Sequence, residues 1–457
     1  MRRAIALVAL LALAGGGVGA AYQAVARQRH YRELMTRGDA ALRDDQTYAA
    51  IEAYSGAIAL RDDSMLPYLR RGQTYHRQGN LEEAARDFRS AAARDTTAPR
   101  PLEELGDVLY QDQKYKGSVE AYEGCLRLDD HAARLHFKLA LAQYRNGDLT
   151  AAMATLDKVL RIDDQMSDAH YLRGVCLRET HHPAEAIPAL ERAVALSPGM
   201  IPAREELADL YAAAGRRDAE LEQLQALALL DTNHIERQVA VGLAHARAGR
   251  WDLAVLTLGR ALEQHPDADV IYHALGQVWL ERPRDDRTFL GKAREALERV
   301  ASNTGATSDV LTLYGKALLQ DGDVDRAERT LEEATTRAPV EPSAYLLYAT
   351  AAERQNHFAA ARTALIQYGS LAPDASGFSA RAERIAQLSL KMNETGAAVD
   401  WLRKATLASP NDNRILGALA EAQIRAGDRA AARATIARGL ERDPKNAALL
   451  ALARRAR

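Results

Sequence analysis

The sequence predicts an all-helical solenoid built from about twelve helix-turn-helix units. Three observations predict this fold: small residues recur every 34 positions, large apolar residues recur with the same period 16 positions later, and glycine or asparagine often stands between the two columns. A period of this length is typical of architectures in which each unit is one supersecondary element that is stabilised by stacking on its neighbours. The chain of 457 residues is 47% hydrophobic, which is enough apolar material for a folded protein.

The chain begins with a segment that has the order of a targeting or anchoring sequence. Two arginines precede an uncharged stretch at residues 4–26, which is rich in alanine, leucine and glycine. This order is typical of a secretory signal peptide, but a helix of that length, at about 1.5 Å per residue, can also cross a hydrocarbon core of about 30 Å. We therefore predict a signal peptide or transmembrane anchor at residues 1–30. The sequence allows two topologies, because arginines flank the stretch on both sides. The protein could be exported to the periplasm, with the segment cleaved or kept as an anchor, or the repeats could lie on the cytoplasmic face of the membrane.

The two helices of each unit are predicted from a small and a bulky column of residues. Small residues occupy the eighth place of each unit: Gly38, Gly72, Gly106, Ala140, Gly174, Ala208, Gly242, Gly276, Gly315, Ala349, Ala386 and Ala420. Large residues follow in the second helix: Tyr54, Phe88, Tyr122, Leu156, Leu190, Leu224, Leu258, Leu297, Leu331, Leu365, Leu402 and Ile436. We expect the small residues to let two helices cross closely, and the large ones to fill the groove between one unit and the next.

Helix stops separate the predicted elements. Between the two helices of many units stands a residue type that tolerates the left-handed conformation of a helix end: Gly79, Gly147, Gly215, Gly249, Gly322, Asn356, Asn393 and Gly427. Prolines, which cannot continue a helical hydrogen-bond pattern, close several second helices: Pro198, Pro266, Pro339, Pro373, Pro410 and Pro444. Each unit is thus predicted to be helix, turn, helix.

With these features the chain resembles the tetratricopeptide repeat family, whose units also have 34 residues. The resemblance covers residues 31–446 and implies a right-handed superhelical solenoid. Extra residues break the spacing near 281–290 and at 376–378, and the tail at 447–457 is predicted to be a short capping helix.

The composition and the motifs of the chain argue against nucleic-acid binding, metal binding and catalysis. A net charge of -2 gives no overall field to attract nucleic acid, so we expect no nucleic-acid partner. Cys125 and Cys176 form no CxxC motif and are predicted to be buried core residues, while His181 and His182 fall in a turn between helices. The sequence contains no HExxH or GxSxG motif. We predict that the protein is not an enzyme and has no catalytic residues, no cofactor and no metal site.

The family resemblance implies a concave groove lined by the first helices, in which a partner binds. In the third to fifth units the places that face this groove carry aromatic residues and arginines, which are enriched at interface hot spots. The predicted partner-binding groove consists of Tyr110, Arg134, Phe137, Leu141, Tyr144, Arg145, Tyr171, Val175 and Arg178. The alternative is that Phe137 and Tyr171 only pack between adjacent first helices.

Together these observations predict a non-enzymatic scaffold of a bacterial cell envelope that binds a protein or peptide in its groove and supports an assembly or secretion system. The envelope assignment depends on residues 4–26, which would hold the protein in the membrane if they are not cleaved. The alanine-rich and arginine-rich composition indicates a bacterial protein. Two alternatives are a solenoid that self-associates in a structural role and a cytoplasmic adaptor anchored to the membrane.

Overall fold

The computed structural model describes residues 2–282, 287–372 and 377–457, and it describes side chains from Tyr22 onward, except that of Arg287. In these ranges the chain forms 25 α-helices and no β-strand. The prediction of an all-helical solenoid of helix-turn-helix units is confirmed. The chain divides into two compact bodies, a first body up to Gln223 and a second body from Leu224.

Helices α1 to α24 follow one another as twelve helix-turn-helix hairpins, and we call the first helix of each hairpin its A helix. The A helices are α1 (Arg2–Arg43), α3 (Met65–Arg77), α5 (Arg100–Gln111), α7 (Ala133–Arg145), α9 (Ser167–Glu179), α11 (Ile201–Ala213), α13 (Ile235–Arg247), α15 (Asp269–Glu281), α17 (Ser308–Asp321), α19 (Pro342–Arg354), α21 (Phe378–Lys391) and α23 (Asn413–Arg425). The second helices are α2 (Thr47–Leu60), α4 (Leu81–Arg94), α6 (Tyr115–Leu126), α8 (Leu149–Ile162), α10 (Pro183–Leu196), α12 (Arg217–Leu230), α14 (Trp251–Gln264), α16 (Arg287–Ala301), α18 (Val324–Ala334), α20 (Phe358–Leu371), α22 (Thr395–Ala408) and α24 (Arg429–Arg442). A last helix, α25 (Ala447–Arg455), buries Leu449 and Leu452 against the final hairpin.

The turns inside the hairpins have the left-handed backbone that the sequence predicts. All eight predicted stop residues have positive φ angles, from 60° at Asn393 to 93° at Gly322. In three further hairpins the same place is filled by Asp45, Gln113 and His181, with φ near 60°. His181 therefore lies in a turn, as predicted, and it closes the first helix of its hairpin.

The small and bulky columns pack directly on each other inside each hairpin. A Cβ atom added to Gly38 would lie 2.5 Å from Tyr54 Cε1, and one added to Gly72 would lie 2.8 Å from Phe88 Cε1. Since real Cβ atoms do not approach other heavy atoms so closely, the bulky side chain uses the space that the missing Cβ leaves. The bulky residues also pack toward the next hairpin, as expected: Phe88 shares a core cluster with Leu105 and Leu109, and Leu258 shares one with Ile271.

Both cysteines lie in the core of the first body. Cys125 and Cys176 are buried, as predicted, and form no disulfide. Burial raises the pKa of each thiol to about 11. Burial thus favours the neutral thiol at both positions.

Three sequence predictions fall on parts of the chain that the structure does not describe fully. The insertion near 281–290 includes residues 283–286, and the one at 376–378 overlaps residues 373–376 at position 376. Residues 283–286 and 373–376 lie outside the described residues. Most side chains of the predicted leader lie outside the described set, so the leader stays a prediction. Among the residues that could be searched, no helix is long and apolar enough to span a membrane.

Candidate partner-binding face

The nine predicted groove residues lie on three A helices of the first body. Tyr110 is on α5; Arg134, Phe137, Leu141, Tyr144 and Arg145 are on α7; Tyr171, Val175 and Arg178 are on α9. Helix α7 packs beside α9, and its Lys138 reaches across to α5. We call the surface that these helices share the A face.

Tyrosines and one arginine form a cluster at the carboxyl ends of α5 and α7. The Tyr110 ring meets the Tyr115 ring edge to face, with centroids 5.4 Å apart. The Arg145 guanidinium lies 5.8 Å from the centroid of the Tyr144 ring. Hydrogen bonding to the Tyr110 hydroxyl, together with the nearby phenols, raises the pKa of Arg145. The cluster therefore combines a permanent positive charge with aromatic surface, as a hot spot does.

Six of the predicted residues contribute to packing, and two of these are Tyr110 and Tyr144, which are half-buried against core clusters. Phe137 and Leu141 are half-buried against the core cluster of the fourth hairpin, and Tyr171 is half-buried against that of the fifth. Val175 is only 5% exposed. The packing alternative thus describes part of the role of Phe137 and Tyr171, and Val175 offers a partner almost no surface.

Two of the predicted residues are held by carboxylates of the next A helix. The Tyr144 hydroxyl donates a hydrogen bond of 2.8 Å to Glu179, and Arg178 forms an ion pair of 2.8 Å with Glu206 on α11. Burial and the neighbouring Glu179 raise the pKa of Tyr144 to about 12. Burial also raises the pKa of Glu206, although Arg178 acts in the opposite direction.

The most buried cation of the A face is Lys138, which our sequence reasoning missed. Its Nζ donates to Glu103 and Asp107 of α5, at 2.7 Å each. Tyr122 of α6 also donates to Asp107, at 2.6 Å. Burial lowers the pKa of Lys138, but the hydrogen bonds to the two carboxylates outweigh it, so that the pKa ends above its ordinary value.

Polar pairs of this kind recur along the A helices of both bodies. A regular sequence separation of 31 residues connects each donor with an acceptor on a neighbouring A helix: Arg70 with Asp39, Gln73 with Glu104, Lys138 with Asp107, Arg384 with Glu353 and Arg414 with Glu383. We call this set the inter-repeat ladder. A search of the sequence for opposite charges 31 or 35 positions apart would have found Lys138.

Helix α7 differs from its neighbours because it carries two guanidiniums without a carboxylate partner. Arg134 is exposed and makes no hydrogen bond or ion pair with any residue that the structure describes. Arg145 contacts tyrosines only. By contrast, the nearby carboxylates Glu103, Asp107 and Glu179 all accept hydrogen bonds from protein side chains. The positive charges of Arg134 and Arg145, at the two ends of α7, are therefore not neutralised by a described carboxylate.

The described part of the chain contains no group of three or more histidine, cysteine or acidic residues arranged to hold a metal ion. His181 and His182 occupy a turn, where the His182 ring contacts Thr180 at 3.2 Å.

Two family models with the description tetratricopeptide repeat match the chain. One matches residues 20–99, 103–167 and 312–376, and the other matches residues 386–456. Together these segments make up more than half of the chain.

Curated proteins with similar sequences include DnaJ homolog subfamily C member 3 from two vertebrates. The Gallus gallus protein is 24% identical over 234 residues, which are 49% of this chain and 42% of the relative. The Homo sapiens protein is 27% identical over 186 residues, which are 41% of this chain and 33% of the relative. The chain thus spans less than half of the length of these relatives.

Similar solved structures include YrrB and yeast Tom70. YrrB, described as a TPR protein with an unusual peptide-binding site, is 21% identical with a TM-score of 0.36, over 41% of this chain and 97% of YrrB. Yeast Tom70 is 14% identical with a TM-score of 0.39, over 92% of this chain and 98% of Tom70.

Proposed function

Because the chain belongs to the tetratricopeptide repeat family, we propose that it is a non-enzymatic scaffold that binds an extended segment of another protein on the A face of its first body. Proteins of this family are generally scaffolds for protein-protein interaction and are typically non-catalytic. The family supports binding in general, and the A face supports the choice of surface.

The observation that carries the proposal is the pair of unneutralised guanidiniums on α7. Arg134 and Arg145 have no carboxylate partner among the described residues, whereas Arg178 and Lys138 have one or more. A guanidinium forms bidentate hydrogen bonds with a carboxylate, and the aromatic surface beside Arg145 adds contact area. Because these groups stand on helices packed into a core, little conformational entropy is lost from the scaffold on binding.

The separation of the two arginines specifies the partner further. They are 11 positions apart on one helix, which corresponds to about 16 Å at 1.5 Å per residue. An extended chain covers that distance in about five residues. We propose that the partner segment is extended and acidic, with two carboxylates about five positions apart.

A matched pair of double variants tests the proposed surface. Arg134→Ala with Arg145→Ala removes both guanidiniums, while Arg89→Ala with Arg192→Ala removes two exposed arginines from second helices of the same body. Partners are first captured with the wild-type chain, and the affinity of the purified partner is then measured by calorimetry. We expect the first variant to bind more than about tenfold more weakly and the second to bind like the wild type. Equal loss in both variants, or none in either, contradicts the proposal.

The same capture experiment distinguishes the scaffold from a self-associating solenoid. With two differently tagged copies of the chain, recovery of one copy by the other identifies self-association. Light scattering of the purified chain over a range of concentrations then gives the oligomeric state. A heterologous partner bound by a monomeric chain supports the scaffold.

We also propose that the scaffold works at the cell envelope, exported to the periplasm or anchored by residues 4–26, and that it supports an assembly or secretion system. The support is the order of arginines, apolar residues and small residues at the start of the sequence. Amino-terminal sequencing of the protein from fractionated cells tests this. An intact amino terminus in the soluble cytoplasmic fraction contradicts it.

A further inference from the structure

A cleft lined by both polar and apolar side chains lies on the other side of α7, between the second helices α6 and α8. Its volume is about 590 Å³, and residues of α7 form its floor. This cleft is separate from the A face, since the side chains that line it include none of the predicted groove residues. It is therefore a candidate for a second site.

Three cations line this cleft, and none of them forms an ion pair with a described residue. Arg127 follows the end of α6, and Lys158 and Arg161 are on α8. All three are exposed, and none of their side chains forms a hydrogen bond or ion pair with a described residue. Two acidic residues, Glu123 and Asp130, share the lining. Apart from the histidine, the cleft thus has one positive charge in excess.

His136 on the floor of the cleft has one ring nitrogen without a partner. The residue is only 7% exposed, and its Nε2 lies 2.9 Å from the carbonyl oxygen of Asp130. Since a carbonyl only accepts hydrogen bonds, Nε2 carries the proton and donates. Nδ1 is buried and has no hydrogen-bond partner. A buried polar atom in this state is commonly satisfied by a ligand or an ordered water molecule.

The second body contains an equivalent cleft. Comparison of the two clefts separates the features that come from repeat packing from those that are particular to the first cleft. The second cleft has a volume of about 480 Å³ and is lined by residues that follow those of the first cleft by three repeats, or 102 positions. Gln238 replaces His136 and likewise donates to a backbone carbonyl, that of Thr232, at 3.3 Å. The hydrogen bond of His136 Nε2 is therefore part of the repeat architecture.

The cations, in contrast, are particular to the first cleft. At the equivalent places of the second cleft, Leu229 replaces Arg127 and Glu263 replaces Arg161, which leaves Arg260 as the lining cation. Packing of successive second helices does not need three cations at this position. Their presence around a buried, unsatisfied imidazole calls for another explanation.

We propose that the cleft between α6 and α8 binds a small organic phosphate monoester. Two guanidiniums and an ammonium group match a compact dianion, because arginine pairs with phosphate through parallel hydrogen bonds and lysine adds a point charge. Glu123 and Asp130, which share the lining, accept hydrogen bonds from hydroxyl groups of the ester. The cations of the cleft thus match the phosphate end of such a molecule, and the carboxylates match its hydroxyl end.

Calorimetric titration of the full chain with glycerol 3-phosphate tests this site. We expect saturable binding to the wild type and a loss of more than about tenfold in affinity for the double variant Lys158→Ala and Arg161→Ala. Arg260→Ala, the matched change in the second cleft, should bind like the wild type. Circular dichroism confirms that each variant is folded, which the exposure of these side chains makes the expected result.

Two results would overturn the inference. One is the absence of saturable binding to the wild type at millimolar ester. The other is equal affinity in the wild type and in the Lys158→Ala and Arg161→Ala double variant, since binding would then not depend on the cations of this cleft.

Discussion

The side chain of Leu258 lies directly over Gly242 of the same hairpin, where a Cβ atom on the glycine would stand 2.6 Å from Leu258 Cγ. Gly242→Ala therefore forces the leucine, which is fully buried, out of its position. We expect a loss of about 1 to 3 kcal/mol in the free energy of unfolding, the range for overpacked cores. Denaturant unfolding followed by circular dichroism measures it.

Gly259 provides the control on the partner helix of that hairpin. It lies inside α14, and a Cβ atom there would meet nothing within 4 Å. Since alanine restricts the unfolded chain more than glycine does, Gly259→Ala should stabilise the protein by about 0.4 to 1 kcal/mol. If both alanine variants shift stability in the same direction, close approach at Gly242 is not the reason for its glycine.

Local rules made much of the fold predictable from the sequence. Gly322 and Asn356 were predicted to have left-handed backbone from residue type alone, because few other residues adopt it at low cost. The same turn at Asp45 and Gln113 was missed, since only the repeat register marks these residues. The contact of a bulky residue with the small residue of its own hairpin, as between Tyr54 and Gly38, was not assigned, because spacing along a helix gives the face and not the opposing helix.

The candidate site was less predictable than the fold, for a physical reason. Whether an arginine on the A face is available depends on the neighbouring A helix, which lies more than 30 positions away in the sequence. Arg178 and Arg134 have the same chemistry, but only Arg178 meets a carboxylate, that of Glu206. Long polar side chains also choose among several rotamers, so that spacing alone does not fix their contacts.

Truncation of Leu258 should have a larger effect than overpacking beside it. Leu258→Ala leaves a cavity next to Gly242, where no Cβ is present to fill it, and we expect a loss of about 2 to 5 kcal/mol in the free energy of unfolding. Leu256→Ala, two positions earlier on the same helix, changes a side chain that is 49% exposed. Its effect should stay within about 0.5 kcal/mol, and comparable losses in the two variants would contradict the assigned packing.

Removal of Lys138 should destabilise the first body through the inter-repeat ladder. Lys138→Met keeps the aliphatic part of the side chain but leaves Glu103 and Asp107 without their shared donor. We expect a loss of about 1.5 to 3 kcal/mol near neutral pH, the range for hydrogen bonds to charged groups. Lys116→Met, an exposed lysine on α6, serves as the control and should change stability by less than about 0.5 kcal/mol.

The pH dependence of this loss follows from the pKa of Lys138, which is higher in the folded protein than its ordinary value of 10.5. The folded state then holds the proton more tightly than the unfolded state, so the contribution is complete below pH 10.5 and is lost as the pH rises through the folded-state pKa. The difference between the wild type and Lys138→Met should accordingly shrink in strong alkali. A difference that grows with alkaline pH would contradict the ion pairs of Lys138.

A second pH effect is expected from His273 of α15, in the opposite direction. Its Nε2 is buried without a hydrogen bond and lies 3.7 Å from Asp309 of α17. Burial lowers the pKa of His273 below 6.5, and the charge of Asp309 only partly opposes this. The unfolded chain binds the proton more readily, so stability is complete above pH 6.5 and declines as the pH falls toward the folded-state pKa.

His273→Gln should therefore reduce the loss of unfolding free energy below pH 6.5, measured by denaturant titration at a series of pH values. Some slope should remain, because burial also lowers the pKa of His245. His131→Gln changes a histidine whose side chain is 93% exposed, and its pH profile should match that of the wild type. If His273→Gln and the wild type lose stability in parallel as the pH falls, protonation of this buried imidazole is not what weakens the second body in acid.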